Sequence, residues 1–161
     1  IQFDFDSFPV RWTIHSVSRM LISMIEINDT YGPQTTTCFH SQTVPKIDVL
    51  SYLLRLLKYT PFTNDTLLSS LIYIDRVIQT TKFTATPFVI NSRTLHQLLL
   101  TSIVVASKFT SDIYFTNSRY AQVAGMSGKE LNGLEMEFLF LLQFDLMIHP
   151  LDLNQFASHL L

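Results

Sequence analysis

The chain has 161 residues and a formal net charge of -2, which fits a single domain with a sizeable core and leaves no basic field for broad nucleic-acid binding. Charged residues make up 15% of it and aromatic residues 12%, against a usual charged share of roughly 25%. Uncharged polar residues have replaced charge, a balance that suits either a partner-binding surface or simply a well-filled core.

After an irregular start, Pro9 to Asn28 reads as a helix, because Val10, Ile14, Val17, Leu21, Met24 and Ile25 recur at helical spacing. Asn28-Asp29 and then Gly32-Pro33 end it. A threonine-rich loop runs from Asp29 to Val44, with Phe39 expected to pack back on the domain. Pro45 opens a second helix, Lys46 to Tyr59, with the stripe Ile47, Leu50, Leu53, Leu54 and Leu57. Pro61 breaks it, and Thr63 or Asn64 caps a third that runs to about Thr80 and turns Leu67, Leu68, Leu71, Ile74 and Ile78 inward.

The centre of the chain is Leu95 to Asp112, LHQLLLTSIVVASKFTSD. Between Leu98 and Phe109 its polar members are Thr101, Ser102, Ser107 and Lys108, so it lacks the polar face of a surface helix. Ile103-Val104-Val105 is a β-branched run, but the apolar stretch is too long for a typical strand, and Asn91 and Ser92 upstream are good helix caps. The expectation is a buried central helix ringed by others. Lys108 breaks the pattern near its end. It either favours the helix dipole and reaches solvent, or stands at an opening in the ring where a partner would meet it.

Asn117 caps a short helix that stops at Gly125, a good left-handed terminator. Ser127-x-x-Glu130 is a capping box opening a long helix to about Phe144, with Leu131, Leu134, Phe138 and Leu141 on one face. Pro150 starts a final short helix. No strand and no solenoid-length repeat is expected.

Chemistry-bearing patterns are weak. His15, His40, His96, His149 and His159 fall at none of the short zinc spacings and no cysteine pair accompanies them; His96 reads as a packed side chain. There is no Gly-x-Ser-x-Gly elbow, and 4 glycines cannot furnish a phosphate loop. No enzyme activity, metal or cofactor is expected. The single Cys38 cannot form an internal disulfide and suits a reducing compartment, hence an intracellular location, cytoplasm or nucleus. The longest apolar run, Phe138 to Leu142, is far short of a membrane span. The chain opens Ile1-Gln2-Phe3 rather than with methionine, so a trimmed piece of a longer protein is expected.

Four strings carry a resemblance: FHSQTVPKIDVLSYLLRLLKYT at 39–60, LIYIDRVI at 71–78, LHQLLLTSIVVASKFTSDIYFTNSRYAQVAGMS at 95–127 and ELNGLEMEFLFLLQFDL at 130–146. In that order and spacing they resemble a cyclin box, closest to the P-type (also called U-type) cyclins. The resemblance implies an all-α fold: a five-helix box at 39–146 with its central helix at about 94–110. Residues 1–38 would add an N-terminal helix and connecting loop, and 147–161 a short C-terminal helix. It also implies the function, a non-catalytic subunit that binds and activates a cyclin-dependent protein kinase by docking on its helix C. Neither nucleic acid nor membrane would be a partner, and the free protein would be a monomer. The alternative is a cyclin-box domain of the transcription-factor type, which binds protein or DNA without activating a kinase.

In the family a lysine follows the central helix's Ala-Ser pair, here Lys108, and a partner glutamate falls on Glu135, placed by the Phe144-Asp145-Leu146 string; Glu137 is the alternative if the register slips. Both would bond kinase backbone ahead of helix C. Val105, Phe109, Leu139, Phe144 and Leu146 match the apolar kinase-binding face. Helical spacing adds that Val105 and Lys108 share a face, as do Glu135 and Leu139. A plainer role for Lys108 and Glu135 is to pair with each other and tie two helices together. The substrate-docking patch of cell-cycle cyclins, which begins Met-Arg and includes a tryptophan, here reads Pro45, Lys46 and Tyr52 with Asp48 inside it, so recruitment of Arg-x-Leu substrates by that route is not expected. A buried arginine–aspartate pair of the family would become Lys46 with Asp75, a poorer match because lysine lacks the planar fork.

Overall fold

The computed structural model describes residues 4–31 and 36–161. Among these the fold is all-α, as expected, with seven helices: α1 (Val10–Asn28), α2 (Val49–Tyr59), α3 (Asn64–Thr81), α4 (Leu95–Thr110), α5 (Asn117–Ala124), α6 (Gly128–Leu141) and α7 (Pro150–Leu160). The expected stop at Gly32-Pro33 lies outside the described residues; α1 already ends at Asn28, where the Asp29 amide donates to the Ile25 carbonyl at 2.8 Å.

α4 is the axle. From Leu95 to Ser107 every residue is buried except the half-buried Gln97, and α3, α5 and α6 pack around it. The small polar residues inside it are satisfied by the helix itself: Thr101 Oγ1 donates to the Gln97 carbonyl at 2.7 Å and Ser102 Oγ to that of Leu99 at 3.0 Å. His96 is packed, its ring 4.8 Å from that of Tyr52 and its Nε2 2.8 Å from the Ile47 carbonyl oxygen. Burial lowers its pKa and keeps it neutral. Phe39 is fully buried and sets its ring edge-on against Phe88 and Phe138, which fastens the preceding loop to the core.

α1 belongs to the same core through Ile14, Val17 and Leu21. Thr13 Oγ1 donates to Asn64 Oδ1 at 2.6 Å, and Asn64 Nδ2 donates to the Phe8 carbonyl at 2.6 Å, so the start of α3 holds the start of α1. At the far end Asn28 Nδ2 donates to the Ile90 carbonyl at 2.7 Å, just ahead of α4.

Several element ends differ from the sequence expectation. α2 begins at Val49 rather than Lys46, because the Asp48 carboxylate accepts from the Ser51 amide at 2.8 Å and makes Asp48 the cap. Its buried face is Val49, Tyr52, Leu53 and Leu56, with Leu50, Leu54 and Leu57 half-buried at its flanks. Lys46 and Asp75 are both exposed and no ion pair joins them, so the expected counterpart of the family's buried pair is not formed. Asn91 acts upstream of α4, its Oδ1 accepting from the Arg93 and Thr94 amides, whereas the Ser92 amide donates to Asp29 rather than capping. Thr116, not Asn117, caps α5, accepting from the Arg119 amide; Gly125 ends it at φ 74, as expected. Ser127 caps α6 as expected, accepting from the Glu130 amide at 3.1 Å.

α6 stops at Leu141, short of Phe144. The Phe144 amide donates to the Leu139 carbonyl at 3.0 Å and the Gln143 amide to that of Phe140 at 2.9 Å, the Schellman pattern. Gln143 and Phe144 both stand at φ 55, a left-handed conformation that costs a side-chain-bearing residue about 1 kcal/mol or more. Gln143→Gly is therefore expected to raise stability by about 0.5–1 kcal/mol, less what glycine adds to the entropy of the unfolded chain. A thermal melt checks this: a midpoint up by about 2 °C is expected at this size, and a lower one would contradict the cap.

Candidate functional site

The ring around α4 is open at its C-terminal end. Lys108 emerges one turn beyond the buried Val105, and its Nζ donates to both Glu135 oxygens, Oε1 at 2.8 Å and Oε2 at 3.0 Å. The Lys108 side chain is 34% exposed and that of Glu135 14%, so the pair is a rim contact and not a core one. Helical geometry explains the meeting: Lys108 lies in the last turn of the central helix, which α3, α5 and α6 pack around, and Glu135 faces it from the middle of α6.

Beneath the pair lies a depression of about 240 Å³ lined by Val105, Lys108, Phe109, Glu135, Leu139 and Leu146. Six of the seven residues singled out from the sequence are thus gathered in one place. Phe144 is not among the lining residues; it is 54% exposed and sets its ring edge-on to Phe140 at 5.4 Å. Phe109 is 48% exposed and Phe140 60%. Glu137, the alternative partner, is exposed, and Lys108 bonds Glu135 instead.

Leu146 reaches the depression because the segment after α6 is clamped from α3. Tyr73 donates its hydroxyl to the Leu146 carbonyl at 2.7 Å, and Arg76 donates Nη1 to the Asp145 carbonyl at 3.0 Å and Nη2 to that of Met147 at 2.9 Å. Burial pushes the Tyr73 phenol up to about 12, so it stays a donor at any physiological pH. These two residues, and Asn117, which donates Nδ2 to Glu135 Oε2 at 2.7 Å, escaped the sequence reading. Their bonds join positions far apart in the chain, and no local pattern marks them.

Chemically the site offers one ammonium group, two carboxylate oxygens as acceptors and an apolar floor, drawn from α4, α6 and the segment after α6. It has no nucleophile–base arrangement. No group of histidine, cysteine or acidic residues among the described residues is placed to hold a metal ion, and no described helix is long and apolar enough to cross a membrane.

The family model described as Cyclin matches residues 13–146. Over 123 residues the chain is 45% identical to the PHO85 cyclin-like protein psl1 of Schizosaccharomyces pombe, a match covering 76% of this chain and 49% of that protein. It is 40% identical over 127 residues to PHO85 cyclin-7 of Saccharomyces cerevisiae, covering 74% and 45%. To Cyclin-U4-1 of Arabidopsis thaliana it is likewise 40% identical over 127 residues, covering 79% and 61%. The chain spans about half the length of the curated relatives it matches.

Proposed function

The chain belongs to the cyclin family, in its P-type or U-type group, and on that premise we propose that it is a regulatory subunit without chemistry of its own, which binds a cyclin-dependent protein kinase and switches it on. One observation supports the reading beyond family membership: a Lys108–Glu135 pair at the rim of an apolar depression, Lys108 partly in water, both groups able to trade each other for backbone of a docked chain. A kinase transfers phosphoryl groups only when its lysine–glutamate pair and helix C are in place. A subunit that binds only that arrangement shifts the equilibrium toward it by its difference in affinity for the two states. Moving a kinase from about 1:99 to 99:1 takes about 5.5 kcal/mol, within reach of an interface that adds charged hydrogen bonds to apolar contact.

In this reading Val105, Phe109, Leu139 and Leu146 receive helix C, with Phe144 extending the apolar contact outward. Lys108 and Glu135 bond the backbone ahead of it. The partner is a protein and not nucleic acid, the free chain is a monomer, and it acts inside the cell. The names of two relatives direct the test to a kinase of the PHO85 type. Titrating the purified domain into that kinase should give saturable activation of peptide phosphorylation. Activity flat at every ratio, with no complex by gel filtration, would dismiss the reading.

Arg-x-Leu docking should be missing. Tyr52 is buried against His96 and so is not open to a peptide, and the exposed Asp48 carboxylate is engaged by the Ser51 amide and hydroxyl. Calorimetry with a short Arg-x-Leu peptide is expected to show no saturable heat. Micromolar binding that weakens in Asp48→Ala would reverse this.

A further inference from the structure

The Glu135 carboxylate is held from two sides, and the second hold has a purpose once Lys108 is considered as a group that leaves. Asn117, the first residue of α5, donates Nδ2 both to Glu135 Oε2 and to Asn132 Oδ1, each at 2.7 Å. Asn132 lies one turn before Glu135 on α6. The orientation of the amide follows from these neighbours: turned over, its oxygen would face two acceptors. Its Oδ1 is buried and has no hydrogen-bond partner among the described residues, so both bonds are made by the nitrogen, and one of them ends on the carboxylate. Lys108 from α4 is the charged group against Glu135, whereas α5 offers the neutral Asn117 and α6 itself the neutral Asn132.

The two holds differ in kind. Lys108 has a long flexible stem and a third of its side chain in water, so it can swing out to an acceptor on another chain. Asn117 is short, half-buried and anchored by two bonds from its amide nitrogen. If Lys108 were the whole support, its departure would leave a largely shielded carboxylate without a donor, and Glu135 would turn toward water. With Asn117 in place Glu135 keeps one donor on Oε2, and Oε1 is left free to accept from a partner.

We propose that Asn117 is a positioning residue that holds the Glu135 carboxylate at the rim by a bond of its own, so that Lys108 can leave for the partner while Glu135 stays in register. The proposal rests on the reading of this rim as the kinase-docking face, and the test separates the two. Kinase affinity is measured for the parent, Asn117→Ala, Glu135→Ala and Glu135→Ala/Asn117→Ala, beside the melt of each. Asn117→Ala should weaken kinase binding about tenfold in the parent and add nothing once Glu135 is gone, because it acts through that carboxylate. Asn132→Ala, on the exposed face of α6, removes the acceptor that orients the amide and should give a smaller loss of the same kind. It serves if Asn117→Ala disturbs α5. A purely structural Asn117 would change the melt and weaken binding equally with and without Glu135, which would overturn the proposal. An Asn117→Ala variant with parental kinase affinity would overturn it too, provided Glu135→Ala itself weakens binding. If Glu135→Ala and Lys108→Ala both bind kinase like the parent, the docking reading falls, and with it the role given to Asn117.

Discussion

Ala106→Glu is expected to abolish the cooperative melt of the domain. Ala106 has no exposed surface and sits in the middle of α4, with α3, α5 and α6 packed around that helix. The substitution inserts four more heavy atoms where the neighbours are already in contact, at about 1–3 kcal/mol for overpacking. It also buries a carboxyl without a partner, which costs several kcal/mol whether the group stays charged or takes a proton. Together these approach the whole stability of a domain, about 5–15 kcal/mol. Circular dichroism should show a broad, non-cooperative loss of helix, and proton NMR a collapse of methyl dispersion. Ala106→Ser, which can bond its own helix as Ser102 does, should keep a sharp transition. A glutamate variant that melted within a few degrees of the parent would mean that α4 is not the core.

Lys108→Ala and Glu135→Ala are expected to weaken the kinase complex on the order of ten- to a hundredfold while leaving the melt nearly unmoved. A hydrogen bond to a charged group is worth roughly 1.5–3 kcal/mol when its loss strands a partner, and about 1.4 kcal/mol is a factor of ten in affinity. An ion pair with one member a third exposed contributes about 0–1 kcal/mol to folding, so the helices do not depend on it. If the pair only ties α4 to α6, the pattern inverts: the melting temperature falls and activation is untouched. Melts run beside an activation titration distinguish the two, and the double variant sharpens the result. Unimpaired activation by both single variants and the double would remove Lys108 and Glu135 from the interface.

What could be read in advance follows the range of the interaction. α4 was legible because a helix with apolar residues on every side leaves nowhere to go but the centre. Gly125 and Ser127 were legible because their caps are made with residues a few positions away. The face of α2 was harder: its leucines are spread around the helix, so spacing alone could not choose Val49, Tyr52 and Leu56 over Leu50, Leu54 and Leu57. The end of α6 was missed because its left-handed residues are Gln143 and Phe144, with no glycine to announce it. Lys108 stood out as the charge that breaks the apolar central helix, Glu135 came from the family resemblance, and spacing added that each shares a helix face with an apolar neighbour. That they lie 2.8 Å apart is a tertiary fact. Asn117 was read as a helix cap because asparagine serves that role so often; Thr116 took it and freed the Asn117 amide for Glu135.

The clamp on residues 145–147 is made entirely through main-chain oxygens. Tyr73 and Arg76 direct their hydrogen bonds to three successive carbonyls of that segment. Every residue type carries that carbonyl, so the clamp is blind to spelling. Asp145 and Met147 point into solvent on either side of Leu146, Met147 with 72% of its surface exposed. Both letters can be rewritten without shifting the leucine between them. The segment is therefore a fixed frame with two replaceable characters beside the Lys108–Glu135 rim, where the surface can change while the fold stays silent about it.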